Sequence, residues 1–341
     1  MIGLTGATGL VGRWVLTELL AQGARVRLIA RPEAARAELQ EFLAVRGWGG
    51  AEAAGQIHWQ TASLEDGASL EDAVRGCHRV IHCAAWVSFH HRDAAKMYRI
   101  NREGTGHLVN AMLHEGVPEL VHVSSVAALG RSPEGVTDEE SPFEDGPGVS
   151  HYARSKFGAE LEAWRGQEEG LRVVVLNPGV ILGAGDFGRS SAALFDRVHR
   201  GLPFYPLGSN GYVAVQDVAR AAHLLPASGA WGERFILVSE QVPHRTVLNQ
   251  LAHALGRPAP RYALPPWLAG ALWRWGWVQE RMLGMRTWMT REGLANTHRN
   301  FTYRTDKLPQ WFAARGIEWQ YTPLSEAIQD AAQAYRAARV R

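Results

Sequence analysis

Up to about Asn177 the chain alternates short apolar runs with longer stretches in which apolar positions recur every three or four residues. The short runs predict strands over Met1–Thr5, Arg25–Ala30, Gln56–Thr61, Arg79–Ala84, Leu120–Ser124 and Arg172–Asn177. The stretches between them predict helices over Val11–Gln22, Pro32–Arg46, Ser69–Arg75, Ala94–Glu115 and Val149–Glu169. Strand and helix in strict alternation predict an α/β fold: a doubly wound parallel sheet covered by helices on both faces. Such a sheet binds its ligand at the carboxyl ends of the strands, near the point where the strand order reverses. Gly47–Gly50 and Ser132–Gly148 read as loops.

Beyond residue 180 the pattern becomes irregular and rich in tryptophan, with seven of the 13 tryptophans between Trp267 and Trp319. This half predicts a smaller, mostly helical lobe, with helices over Leu264–Leu283, Trp288–Asn296 and Leu324–Arg336. Residues 1–180 are expected to form one domain, and 181–341 a second that lends some segments back to the first.

A chain of 341 residues is long enough for that arrangement. Its 36 basic and 34 acidic side chains nearly cancel, which argues against the basic field of a nucleic-acid-binding protein. Cys77 and Cys83 belong to no spaced metal or redox motif, so free thiols and a reducing compartment are expected. No metal site is expected either, since the adjacent His90 and His91 cannot readily share one ion. The nearest approach to a membrane span, Tyr262–Val278, is broken by Pro265, Pro266 and Arg274. With a first strand that begins at Met1, leaving no room for a signal peptide, the expectation is a cytoplasmic protein.

The chemistry begins with Gly6-x-x-Gly9-x-x-Gly12, which follows the first predicted strand and opens the first helix. In that context one glycine permits a tight turn, one lets a pyrophosphate approach the backbone, and one lets helix and strand pack closely. The helix start then offers N–H groups and a positive dipole end to the phosphates. Gly6, Thr8, Gly9, Leu10, Val11 and Gly12 are the candidate contacts to a dinucleotide. An acid at the end of the second strand would bind the adenosine ribose hydroxyls, but the chain reads Ala30-Arg31-Pro32 there. Arg31, with Arg13, is therefore expected to pair with a 2′-phosphate, which makes NADP the expected cofactor and NAD the alternative.

Tyr152-Ala153-Arg154-Ser155-Lys156 carries the second piece. A tyrosine and a lysine four apart share a helix face, where the ammonium is expected to favour the phenolate and lower the tyrosine pKa. Ser125 closes a predicted strand, which puts its hydroxyl at the sheet's carboxyl edge, able to hold a substrate oxygen while Tyr152 gives or takes its proton. Ser124 is the rival for that role. Asn101, in the helix predicted over Ala94–Glu115, fits a proton relay through water.

Taken in order, several segments resemble the extended short-chain dehydrogenase/reductases, the NAD-dependent epimerase/dehydratase family. They are the glycine loop, Val80-Ile81-His82-Cys83-Ala84-Ala85, Asn101-Arg102-Glu103-Gly104-Thr105, Ser124-Ser125, Tyr152-x-x-x-Lys156 and Asn177-Pro178-Gly179-Val180. Tyr212–Ala219 resembles a further block of the family, and the likeness runs from residue 1 to about 330. The resemblance implies a Rossmann fold with Ser125, Tyr152 and Lys156 catalytic, Lys156 also holding the nicotinamide ribose. It further implies that Ala84 and Ala85 lie along the cofactor, with Pro178 and Val180 beside the nicotinamide. It also implies a homodimer packed through the helices at Ala94–Glu115 and Val149–Glu169. Two departures matter. Where the family usually carries Gly-Asp-Leu after the third strand, this chain has Ala62-Ser63-Leu64, so adenine recognition is expected to rest on Ser63, Leu64 and the backbone. Family dehydratases place an Asp-Glu pair after the active-site hydroxyl residue, whereas Ser125 is followed by Val126-Ala127-Ala128, so dehydration is not expected.

Trp86 and Phe89, with Ser125 and Tyr152, are the candidate substrate contacts. Their flat apolar wall suits a ring or terpenoid-like carbonyl compound, and packing within the lobe is the alternative. Trp267, Trp273, Trp275 and Trp277 form, with Leu268 and Leu272, an amphipathic stretch that packs internally or between subunits, closes over substrate, or rests on a membrane surface. The leading reading resembles the dihydroflavonol-reductase and hydroxysteroid-dehydrogenase branches: an NAD(P)-dependent oxidoreductase moving hydride between nicotinamide and a carbonyl or secondary alcohol, with Tyr152 as acid or base. A nucleotide-sugar epimerase with tightly bound NAD would use the same residues. A non-catalytic dinucleotide-binding regulator would need only the glycine loop.

Overall fold

The computed structural model describes residues 1–31, 35–130, 135–188, 190–283, 294 and 297–340. Its strands are β1 (Ile2–Thr5), β2 (Val26–Ala30), β3 (Ile57–Thr61), β4 (Arg79–His82), β5 (Glu119–Val123), the short β6 (Val136–Thr137) and β7 (Arg172–Pro178). They continue with β8 (Val180–Leu182), β9 (Phe204–Tyr205), β10 (Ser209–Ala214), β11 (Glu233–Leu237) and β12 (Glu240–Pro243). Seven of these form the central sheet in the order β11-β7-β5-β4-β1-β2-β3. Every neighbouring pair is parallel, and the strand order reverses between β1 and β4. β1 and β5 are buried at every position, as strands covered on both faces must be.

One face carries α1 (Leu10–Ala21) and α2 (Arg36–Val45), whose Leu16, Leu20 and Leu39 share a core with Val121 and Val174. The other carries α3 (Gly67–Val74), then α4 (Ala94–Met97), a π-helical turn (Tyr98–Glu103), α5 (Gly104–His114) and α6 (His151–Glu168). Leu70, Leu108, Met112 and Ala163 of these helices meet Leu120, Val173 and Val175 of the sheet. The single helix predicted over Ala94–Glu115 is thus three segments, and the π turn falls on Asn101. The predicted start at Pro32 and the helix predicted over Trp288–Asn296 lie outside the described residues, apart from Leu294. β4 and β5 end one or two residues before the predicted limits, because Cys83 to Ala85 and Ser124 to Ser125 leave the sheet to line a cleft.

After residue 180 the chain is shared between the central sheet and a lobe. α7 (Ala193–His199) precedes β9, and α8 (Val215–Ala227) packs on the face of α1 with Val218, Ala222 and Leu225. β11 then joins the sheet beside β7. β11 escapes the pattern because it is five residues long and opens with Glu233-Arg234. The rest is a lobe in which α7, α9 (His244–Ala254) and the C-terminal helix Leu324–Val340 enclose Phe195, Leu251 and Ile328. Asp217 pins the chain ahead of that helix, accepting from Thr322 N at 2.9 Å and Thr322 Oγ1 at 3.0 Å. In α10 (Pro266–Leu283), Leu268, Ala269, Leu272 and Trp273 pack with Phe204, Leu264 and Leu294. Trp267 and Trp275, on another side of α10, are 74% and 60% exposed. No described helix is long and apolar enough to cross a membrane.

Candidate active site

A cleft of about 1540 Å³ runs along the carboxyl ends of β1, β2, β4 and β5 and on into the lobe. Its first half is the glycine loop. Gly6 has φ +71°, and a Cβ there would lie 2.6 Å from the Ala84 nitrogen. A Cβ on Gly12 would stand 2.1 Å from the Gly6 oxygen. The loop is therefore a close-packed backbone turn rather than a slack one. Gly9 caps α1 without a side-chain hydrogen bond, and Leu10, Val11 and Gly12 line the cleft, so the first N–H groups of α1 are available to an anion. This cradle fits the pyrophosphate of a dinucleotide.

Thr8, Ser63, Leu64, Ala84 and Ala85 line the same cleft. Leu64 is seated by Gly104, where a Cβ would come within 2.8 Å of the leucine's own, and by His107 Nδ1, 2.8 Å from the Leu64 carbonyl. Arg31 lies exposed on the rim at the end of β2. Arg13 does not join it, which corrects the expectation from sequence. Its guanidinium is buried, donates to the carbonyls of Thr8 (2.7 Å) and Gly9 (3.3 Å), and lies over the Phe42 ring at 5.0 Å. Arg13 braces the glycine loop from behind.

At the other half, β5 ends and the two serines part. Ser124 is buried and donates to Glu160 Oε2 at 2.7 Å. Ser125 caps a 3₁₀ turn over Val126–Ala128, its Oγ accepting from Ala127 N at 3.1 Å. The Ser125 hydroxyl proton is not spent on that turn, and Ser125 lies near enough to Tyr152 to act on its phenol. Ser125, Tyr152 and Lys156 face the same cleft as the glycine loop. Tyr152 stands in the first turn of α6, which Ser150 caps by accepting from Ala153 N at 3.0 Å. The Phe89 ring meets the Tyr152 ring edge-on at 5.7 Å.

The electrostatics differ from the sequence expectation. Burial raises the Tyr152 phenol above its ordinary value, and the nearby Ser125 hydroxyl opposes that rise. Lys156 instead donates to the Val123 carbonyl at 2.9 Å, and burial pulls its pKa down to about 8. Tyr152 is therefore a neutral phenol at neutral pH, the form of a proton donor.

Asn101 does not line the cleft. Its Oδ1 accepts from Trp86 N at 2.6 Å, and its Nδ2 donates to Trp86 O at 3.0 Å and Ser155 Oγ at 2.9 Å. It latches the loop after β4. Ser88 Oγ, 2.7 Å from Asp93 Oδ2, and Lys96, 3.6 Å above the Trp86 ring, hold the same loop. Pro178 is buried at the end of β7, while Gly179 and Val180 reach the cleft. Trp86 and Phe89 form one wall of the lobe end. Sequence reading did not single out Phe143, Leu194, Leu248 and Phe301, which line the rest from loops and helices far apart in the chain. It also missed Glu160, although a carboxylate four residues past Lys156 on one helix face was a signal in plain view.

Beneath the cleft, His82 Nε2 lies 3.0 Å from Thr105 Oγ1, which itself donates to Asn101 O at 2.5 Å. His82 therefore carries its proton on Nε2, and Nδ1 accepts from Thr5 Oγ1 at 2.7 Å. The neighbouring His122 ring, 5.3 Å away, has no hydrogen-bond partner among the described residues. Burial, with Lys156 nearby, holds His82 down to about 3 and His122 well below its ordinary value.

Residues 2–236 match the NAD dependent epimerase/dehydratase family. The chain is 32% identical over 268 residues to a Methylococcus capsulatus protein named sterol demethylase protein B, covering 77% of each. It is 31% identical over 294 residues to a Synechocystis protein named putative dihydroflavonol 4-reductase, covering 82% of this chain and 79% of that one. Among solved structures, that of gox2253 superposes with a TM-score of 0.79 at 28% identity, covering 99% of this chain and 98% of the other.

Proposed function

The chain belongs to the NAD dependent epimerase/dehydratase family, and from that premise we propose that it reduces the carbonyl group of an apolar, ring-containing small molecule with NADPH. The reading is carried by Ser125, Tyr152 and Lys156 facing one cleft with an uncapped helix start behind a glycine turn. Bound in that cleft, the nicotinamide supplies the hydride. Ser125 holds the substrate oxygen through its hydroxyl, and Tyr152, neutral through burial, gives its proton to that oxygen. Lys156, fixed by the Val123 carbonyl, stands on the same cleft to hold the nicotinamide ribose. Val126-Ala127-Ala128 offers no carboxylate for eliminating water.

The wall of Trp86, Phe89, Phe143 and Phe301 supports a flat apolar substrate, and the words sterol and dihydroflavonol in the relatives' names support a fused-ring one. NADPH is favoured by Arg31 at the end of β2, where no carboxylate stands. Two free cysteines support a reducing compartment such as the cytoplasm. A homodimer through α5 and α6 is supported by Leu161 on α6, 48% exposed.

The test is cofactor titration by nicotinamide fluorescence, followed by turnover of fused-ring ketones. Tighter binding of NADPH than NADH, and net oxidation of NADPH, are expected. Tyr152→Phe is expected to lose about 10²–10⁴ in kcat while still binding cofactor. NAD that survives purification without any net redox turnover would overturn the reading in favour of an epimerase.

A further inference from the structure

Glu160 lies one helical turn past Lys156 on the same face of α6 and is 2% exposed. Its Oε2 accepts from Ser124 Oγ at 2.7 Å and Asn177 Nδ2 at 2.9 Å. Its Oε1 accepts from Arg234 Nη1 at 3.1 Å and Trp164 Nε1 at 3.3 Å. The donors come from the ends of β5 and β7, from β11 and from α6 itself. Asn177 Nδ2 also donates to Ser125 O at 3.1 Å, so the same carboxylate is tied to the backbone of the serine that faces Tyr152.

An ionised carboxylate is costly to bury, and a well-packed apolar side chain serves a fold at least as well. What an apolar side chain cannot do is hold Ser124 down or set the field at Lys156. We propose that Glu160 is a positioning residue of the reaction centre. It anchors Ser124 below the sheet edge, so that Ser125 alone offers its hydroxyl to Tyr152, and it is the counter-charge that keeps Lys156 an ammonium. This rests on the reductase reading of the site.

The surroundings of Lys156 support the second part. From β4 and the residue after it His82 and Cys83 face the lysine, from β5 His122, and from β11 Arg234 approaches on the far side of Glu160. Both histidines are held neutral, and burial pushes the Cys83 thiol up to about 12. Glu160, ion-paired with Arg234 at 3.1 Å, is the carboxylate among these groups. Burial is the chief influence on Lys156, and Glu160 is the first that opposes it.

The chain has three lysines, Lys96, Lys156 and Lys307, so a protein labelled with ¹³Cε-lysine reports Lys156 directly. The titration of that resonance, near pH 8 in the wild type, is expected to move down by about one pH unit in Glu160→Gln. It is expected to stay in place in Ser124→Ala, which removes a hydrogen bond and leaves the charge. The alkaline limb of kcat/KM for carbonyl reduction should move with the resonance. Glu160→Asp, which restores the charge, should bring both back towards wild type. If Glu160→Gln does not fold, Glu160→Asp should still show a smaller shift of the same sign. An unmoved Lys156 resonance in a folded Glu160→Gln, or an equal shift in Ser124→Ala, overturns the proposal. A shifted resonance in a protein that reduces no carbonyl would leave Glu160's hold on Lys156 standing and sink the reductase reading.

Discussion

Replacing Asn101 with alanine separates two roles that the sequence left together. The side chain makes three hydrogen bonds, two of which hold the N–H and C=O of Trp86 and one of which reaches Ser155. At about 1 kcal/mol for each net bond the substitution removes about 3 kcal/mol. Trp86 is half-buried, and water reaching its backbone would return some of this, leaving a loss of about 2 kcal/mol. The loop it releases carries Phe89, whose ring meets Tyr152, so the substrate wall loosens with it. Asn101→Ala is therefore expected to lower the guanidinium unfolding free energy by about 2 kcal/mol and to unprotect the Trp86 amide in hydrogen exchange. It should also raise KM for a ring-containing ketone more than it lowers kcat. A water-relay role predicts the reverse: kcat falls while stability and KM hold. A variant within about 0.5 kcal/mol of wild type, with the Trp86 amide still protected, refutes the latch.

Three other substitutions test the structure. Gly12→Ala puts a methyl 2.1 Å from the Gly6 oxygen, where only backbone could yield, so cofactor affinity should fall at least about 100-fold in a fluorescence titration. Gly23→Ala, at φ +72° in open space, should cost about 1 kcal/mol of stability and leave cofactor affinity unchanged. His82 and His122 titrate below their unfolded value of about 6.5, so the unfolded chain binds protons first and stability falls as pH drops from 6.5 towards 3. Each contributes a slope on the order of 1 kcal/mol per pH unit just below about pH 6.5. His122→Leu should flatten the decline between pH 6.5 and 5 in urea titrations without a loss at pH 7.5, and an unchanged slope would show that His122 stays unprotonated in both states.

The fold was legible wherever the hydrophobic pattern is local and long. Six of the seven sheet strands and the helices between them follow from runs such as Val26–Ala30 and Leu10–Ala21, because a strand buried on both faces is mostly apolar. β11 was not legible: Glu233 and Arg234 open it, and its register is imposed by β7 rather than by any alternation of its own. The π turn at Asn101 was equally silent, since the residues on either side keep helical spacing.

For the site, sequence identified which residues gather but not where their side chains point. The glycine spacing, Ser125, Tyr152 and Lys156 all belong to one cleft. Ser124 and Ser125 cannot be told apart in sequence. What divides them is Glu160, a full helix turn past the lysine, which accepts a hydrogen bond from the first serine, while the second's oxygen accepts from Ala127 N and keeps its proton for the cleft. Arg13 looked available beside Arg31 because nothing in the order of residues reveals Phe42 or the carbonyls of Thr8 and Gly9 around its guanidinium. The lysine's effect on the tyrosine was misjudged for a related reason. Spacing puts Lys156 on the right face of α6, but burial at the sheet edge turns its ammonium to the Val123 carbonyl and raises the phenol instead. The proton-transfer chemistry thus depends less on the Tyr-x-x-x-Lys motif than on the buried polar layer beneath it. In that layer burial holds His82, His122 and Cys83 neutral and lowers Lys156, and Glu160 opposes that lowering.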